Sequence, residues 1–171
     1  FLIKLQMHIE CKKPIDTEIE RFTQLTNKSN QFNLRTQRYS EAEVLDLIED
    51  KNKELMAIKL EDRFSKYGII GCVVLSFSED ACFIENWVMS CRVLKKGVEN
   101  YTIERIVELA RNRGCRKVEG EYIPTKKNSM VKDLYTALGF DQIEVENEIT
   151  RFVLPFDKIA NYKQEYHFVE D

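Results

Sequence analysis

The sequence predicts an α+β domain on a mostly antiparallel central sheet flanked by helices. Three observations carry this. Residues 55–60, 68–77 and 81–91 are apolar strand-like runs joined by short links, the pattern of an antiparallel meander. Residues 98–113 follow with a long amphipathic pattern of helical period. A strand, a helix and two more strands then close the chain, without the regular strand–helix alternation of a parallel α/β protein.

The elements follow in order. Residues 1–10 read as a first strand. Pro14-Ile15-Asp16 turns the chain, and Thr17 with Glu20 has the spacing of a capping box. The helix it would open carries Ile19, Phe22 and Leu25 at helical spacing. Residues 27–38 are polar and loop-like. Ser40 and Glu43 make a second capping box, with Val44, Leu45, Leu47 and Ile48 along one side of a short helix. The meander comes next, with a charged link at 61–67 and a turn at Ser78-Glu79-Asp80. In the long helix Val98, Tyr101, Ile106, Leu109 and Ala110 share a face that Ile103 and Val107 widen, and Gly114 stands where a helix stop is expected. Residues 117–123 read as a strand, and 128–138 as a helix with Val131, Leu134, Tyr135 and Leu138 on one side, stopped by Gly139. Ile143, Val145 and residues 149–154 give the closing strands, and the polar tail 161–171 is expected to fray.

Composition bounds the function. The 171 residues suit one domain spanning 1–171, with 43% hydrophobic residues for a core and 32% charged residues for a surface. A net charge of −3 gives no global field for nucleic acid or a membrane surface, and no apolar run approaches a membrane span. Five cysteines form no C-x-x-C pair and there are two histidines, so no metal site is expected; scattered reduced thiols suit a cytoplasmic protein. Phe1 rather than a methionine opens the sequence, and the chain is read as a piece of a longer protein.

Candidate chemistry gathers at residues 89–99. Without a bulge, Glu85, Trp87, Met89 and Cys91 would point one way along the third meander strand. A basic turn of Arg92, Lys95 and Lys96 leads to Gly97 and a helix start at Val98, an arrangement that aims main-chain N–H groups at a phosphate. Cys91 is a candidate nucleophile, Glu85 a candidate base, and Tyr135 a candidate proton donor to a leaving thiolate. Glu99 in the first helical turn suits the helix dipole, and Asn128 is a candidate N-cap.

The turn Arg92-x-x-Lys95-x-Gly97 resembles the pyrophosphate loop of the GNAT acyltransferases, written Q/R-x-x-G-x-G/A, with a lysine in place of its first glycine. The run Asn128-x-x-x-x-x-x-Tyr135-x-x-Leu138-Gly139-Phe140 resembles a second motif of that fold and puts Tyr135 where many members keep a general acid. Residues 24–43, with Ser90-Cys91-Arg92-Val93-Leu94, Gly97-Val98-Glu99 and the Pro124-to-Asn128 run, resemble the GNAT-like back part of FkbH-like proteins. Those proteins pair it with a HAD-type front domain bearing a D-x-D motif, which this sequence lacks. The resemblance implies a GNAT-like fold and a place in loading a glyceryl unit onto an acyl carrier protein, toward methoxymalonyl extender units. It also implies a coenzyme A or phosphopantetheine thioester held by Arg92, Lys96, Gly97, Val98 and Asn128. Two functions are expected from it. One is acyl transfer with Cys91, Tyr135 and Glu85 as the chemical groups. The other is a non-catalytic module that docks an acyl carrier protein through Arg92, Lys95, Lys96, Arg111, Arg113, Arg116, Lys117, Lys126 and Lys127 for a HAD-type partner domain.

Overall fold

Among the described residues, strand-forming runs meet in one eight-stranded sheet. The computed structural model describes residues 7–94 and 97–170, the last two by backbone alone. Residues 1–6, Lys95, Lys96 and Asp171 lie outside the described residues, and with them most of the first strand expected from sequence and two of the basic loop residues. The strands are β1 His8–Lys12, β2 Lys53–Glu61, β3 Lys66–Phe77, β4 Ala81–Met89, β5 Lys117–Tyr122, β6 Asp141–Glu146, β7 Ile149–Leu154 and β8 Val169–Glu170. Their order across the sheet is β6-β7-β5-β4-β3-β2-β1-β8. All neighbours are antiparallel except β4 with β5 and β1 with β8.

Alternation along the meander gives the sheet two apolar faces. Ile70, Val73 and Leu75 face one side, with Val98, Ile103, Ile106, Val107 and Ala110 of α3 (Val98–Asn112) packed there. Cys72, Val74 and Val88 face the other, covered by Ile19, Phe22 and Leu25 of α1 (Ile19–Lys28) and Val44 of α2 (Glu41–Glu49). The Ser40 box forms as expected: Glu43 N donates to Ser40 Oγ at 3.1 Å, and Ser40 N to Glu43 Oε1 at 3.2 Å. α3 ends as its sequence suggests. Gly114 has φ +76°, its N–H donates to the Arg111 carbonyl at 3.0 Å, and Cys115 N donates to the Ala110 carbonyl at 2.9 Å, a Schellman stop.

Four expectations change. The box at Thr17 does not form; the chain enters α1 through a 3-10 turn at Asp16–Glu18, where Glu18 accepts from Ile15 N at 3.0 Å. β4 stops at Met89, so Cys91 lies on a 3-10 turn, Cys91–Val93, instead of on the strand. The helix read over 128–138 is a 3-10 turn at Ser129–Val131 followed by α4, Leu134–Ala137. The tail does not fray over its described length. Past the short α5 (Phe156–Ile159), Tyr162 is buried, Gln164 N donates to Glu104 Oε2 at 2.8 Å, Tyr166 meets the Tyr101 ring edge-on at 5.3 Å, and β8 pairs with β1.

Candidate functional site

The site is organised by a bulge in β4. Asn86 pairs with Val74 and Ile84 with Leu75, leaving Glu85 as the extra residue. The bulge reverses the alternation, so Cys82 and Ile84 share a face with Trp87 and Met89, and Glu85 does not. The expectation that Glu85 points with Trp87 and Met89 is corrected on this ground. The Glu85 carboxylate instead accepts from Lys53 Nζ at 2.7 Å, from Ser76 Oγ and from Tyr39 OH at 3.3 Å. Burial raises its pKa, but the hydrogen bonds from Lys53 and Ser76, the Lys53 charge and the Tyr39 hydroxyl outweigh it, and the net direction is down. Glu85 is a paired carboxylate and a poor base.

The bulge also parts β4 from β5. Their parallel pairing covers Ala81↔Lys117, Cys82↔Val118 and Phe83↔Glu119 and then stops. Residues 32–35, from the stretch read as a loop, fill the gap. Asn33 bridges Val88 in antiparallel fashion, and Met89 N donates to the Phe32 carbonyl at 3.2 Å. On the β5 side Ile123 N donates to the Leu34 carbonyl at 2.8 Å. Arg35 spans both strands, donating from Nη1 to the Glu85 carbonyl at 2.7 Å and pairing through Nε with Glu121 Oε1 at 3.0 Å. Phe32, Asn33 and Leu34 are buried, and the Phe32 ring meets Trp87 edge-on at 5.5 Å. The polar residues around them hold the loop. Asn27 and Tyr39 exchange two bonds, Nδ2 to the Tyr39 carbonyl at 2.8 Å and Tyr39 N to Oδ1 at 3.1 Å. Asn33 Oδ1 accepts from Thr36 N at 2.7 Å and so secures the left-handed backbone of Thr36, φ +55°.

Asn128 belongs to the same structure. Oδ1 accepts from Thr125 N at 2.8 Å and Tyr122 OH at 3.1 Å, while Nδ2 donates to the carbonyls of Asn33 and Ile123, both at 2.9 Å. It is fully buried, and its side chain caps no helix. Asn128 does hold the N-cap position of the Ser129–Val131 turn, but its side-chain capacity is used in joining the end of β5 to residue 33. Tyr135 is also corrected. Its ring packs on Trp87, Phe140 and Phe152 and abuts Gly120, where a Cβ would stand 2.5 Å from Cζ. The phenol is buried without a hydrogen-bond partner among the described residues, and burial pushes its pKa up. A general acid needs a path to the reacting atom, and this hydroxyl has none.

The open part of the site lies where β4 ends. An open pocket of about 650 Å³ is lined by Leu25, Lys28, Ser29, Asn30, Gln31, Met89, Ser90, Cys91, Arg92 and Lys127. Leu25 and Met89 are buried and form its floor, whereas Lys28, Cys91, Arg92 and Lys127 are exposed. The Cys91 thiol donates to Gln31 Oε1 at 3.0 Å. Arg92 lies over the Tyr67 ring with Cζ 5.8 Å from its centroid, and its Nε is 3.4 Å from Ser90 Oγ. The other free cysteines are buried or half-buried. Gly97 caps α3 with φ +86°, a left-handed conformation that glycine alone adopts without strain, and Val98 is buried behind it. Tyr166 and Phe168 of the tail come within 3.6 Å of where a Gly97 Cβ would stand. Glu99 in the first turn of α3 is half-buried, and burial raises its pKa.

Of the residues at this pocket, Cys91, Arg92 and Lys127 are among those the sequence singles out, whereas Lys28 and Gln31 are not, their lone signal being proximity to an apolar helix end. The sequence reading also missed residues 32–35. The signal was present in Phe32-Asn33-Leu34, an apolar–polar–apolar alternation inside a polar run.

No protein-family model matches the sequence, and no curated protein does. Solved structures do match. Spermidine N-acetyltransferase from Vibrio cholerae, in complex with CoA and spermine, superposes with a TM-score of 0.70 at 16% identity over 90% of this chain and 98% of that one. The GNAT domain of S. lividans PAT gives 0.64 at 18% identity over 85% and 89%. The ribosomal-protein-S18-alanine N-acetyltransferase from Escherichia coli gives 0.63 at 12% identity over 86% and 94%. The chain has the GNAT fold. At these identities the likeness is one of fold. No described helix is long and apolar enough to cross a membrane.

The fit of a coenzyme A-type thioester to this GNAT fold divides in two. Gly97 and the N-terminus of α3 suit a phosphate group, with Arg92 five positions earlier in the sequence. A pantetheine arm laid along β4 does not fit, because the Met89 N–H and the space beside Val88 are taken by Phe32 and Asn33.

Proposed function

We propose that this chain is the GNAT-like, acyl-handling domain of an FkbH-like biosynthetic protein. It receives a glyceryl-type acyl group as a thioester, on the phosphopantetheine arm of an acyl carrier protein or on coenzyme A, beside a HAD-type partner domain. The observation that carries this reading is the setting of Cys91. Its exposed thiol lies in an open pocket with an apolar floor for the arm and with Lys28, Arg92 and Lys127 for a phosphate. In the step, Cys91 Sγ bonds to the thioester carbonyl carbon, the bond from that carbon to the pantetheine sulfur breaks, and the departing thiolate takes the proton Cys91 gives up. The exchange is redox neutral.

A second reading is favoured by one observation. The groups nearest in chemistry to a base or acid are engaged elsewhere, Glu85 with Lys53 and Tyr135 in the core, and Cys91 has an amide oxygen, Gln31 Oε1, beside it. On that reading the pocket docks an acyl carrier protein without accepting its cargo.

Intact-mass analysis after mixing with a glyceryl-loaded carrier separates the two. Acyl transfer adds one glyceryl mass, located at Cys91 and absent from Cys91→Ala. Docking leaves the mass unchanged while carrier binding weakens as salt rises. No adduct and no binding of carrier or acyl-coenzyme A would sink both.

A further inference from the structure

We infer that residues 32–35 are a permanent insert that seals the gap between β4 and β5, so that a phosphopantetheine arm reaches this chain at the open pocket beyond β4 and never enters the sheet. The sealed gap stands on its own geometry; the route of the arm rests on the function proposed above.

The first argument is hydrogen-bond supply. Parting two strands leaves buried main-chain groups that must find partners. Here Met89 N, Ile123 N and the Glu85 carbonyl find them in Phe32, Leu34 and Arg35. An arm in the gap would have to replace bonds to both strands at once.

The second argument is burial. Phe32 and Leu34 are members of the main core beside Trp87, Met89 and Tyr122. A lid that opens is drawn from weakly packed, solvated segments. A segment whose apolar side chains sit in the core opens with the core or not at all.

The third argument is the clasp. The segment is tied at its base by the Asn27–Tyr39 exchange, in its middle by Asn128 Nδ2 to the Asn33 carbonyl, and at its far end by the Arg35–Glu121 pair. These ties give the polar side chains between Asn27 and Tyr39 a use: they hold the segment in place. The pocket at Cys91 is bordered by Asn30 and Gln31, which lead into this segment from α1, so the arm's approach is from the α1 side.

Hydrogen exchange on the wild-type chain tests the seal. The Met89 and Ile123 amides are expected to exchange as slowly as Val73 in the centre of β3, with or without a saturating pantetheinylated carrier or coenzyme A. Exchange about 100-fold faster than Val73, or protection lost when either ligand is added, would overturn the inference. A lock gives a second readout. Asn33 and Val88 are antiparallel partners, a spacing a disulfide can bridge, so the double variant Asn33→Cys, Val88→Cys can be oxidised shut. Oxidised and reduced forms are expected to take the thioester within twofold of each other. A tenfold loss on oxidation, recovered on reduction, overturns the seal while leaving the proposed function intact. Protected amides with no thioester accepted by either form count against the proposed function and for the seal.

Discussion

Two regions border the C-terminal half of β4, and they use polar residues in opposite ways. In the gap beside β5, Asn33, Arg35 and Asn128 turn their hydrogen-bonding groups inward and complete a sheet that a bulge has opened. At the pocket beyond Met89, Lys28, Arg92 and Lys127 remain exposed around a thiol. A polar run therefore has two meanings in one chain. Where apolar side chains alternate with it, as at Phe32 and Leu34, it is architecture; where they do not, it is available for a ligand.

The sharpest way to break this contrast is to cut each region once. Phe32→Ala removes a core aromatic and is expected to cost about 3–5 kcal/mol of unfolding free energy. Cys91→Ser changes an exposed side chain and is expected to stay within about 0.5 kcal/mol of the wild type. Urea unfolding monitored at Trp87 measures both. A loss under about 1 kcal/mol for Phe32→Ala would mean that the segment merely rests on the sheet.

Gly120→Ala asks how tightly the far side of the gap is built. The added methyl would stand 2.5 Å from Tyr135 Cζ, and that ring is held by Trp87, Phe140 and Phe152. Overpacking of this kind costs about 1–3 kcal/mol. A neutral result in thermal unfolding would show that Tyr135 has room to move, and with room comes a route to the surface.

Tyr135→Phe is expected to act in the opposite direction. Its hydroxyl is buried with no partner among the described residues, so removing it should leave stability unchanged or raise it by about 1 kcal/mol. Acylation of Cys91, where it occurs, should continue at the wild-type rate. A rate loss without a stability loss would restore Tyr135 as a proton donor.

These residues show how far the sequence could be read. The meander, α3 with its Gly114 stop and the Ser40 box were legible because each rests on local chemistry: alternation, period and capping. Tyr135 and Asn128 were legible as a motif but not as to their use, because burial is decided by segments far away in sequence. Asn33 meets Asn128 across 95 positions, and nothing local to either announces it. Glu85 was misplaced for a related reason: one bulge residue turns every following side chain over, and a bulge leaves no period in the sequence.

The smallest expected effect is in the pH dependence, and it again divides the chain. Glu85 has a folded pKa below its ordinary value of 4.5. The stability it contributes is therefore fully present above that ordinary value and is lost as pH falls through the folded one. Glu85→Gln should be less stable than wild type at neutral pH, and the difference should shrink under acid, because the carboxylate that holds Lys53, Ser76 and Tyr39 at the bulge is then protonated in both states. Glu99, whose pKa burial raises above 4.5, carries the reverse sign. Its contribution is present below the ordinary value and lost as pH rises through the folded one, so Glu99→Gln should gain on wild type as the solution becomes less acidic. Paired denaturation curves from acid to neutral pH read both slopes. Carrier binding through the exposed cations around Cys91 should follow salt, while stability follows pH. If binding instead tracks the Glu85 slope, the bulge and the pocket form one unit, and the gap is coupled to the thiol it was read as sealed from.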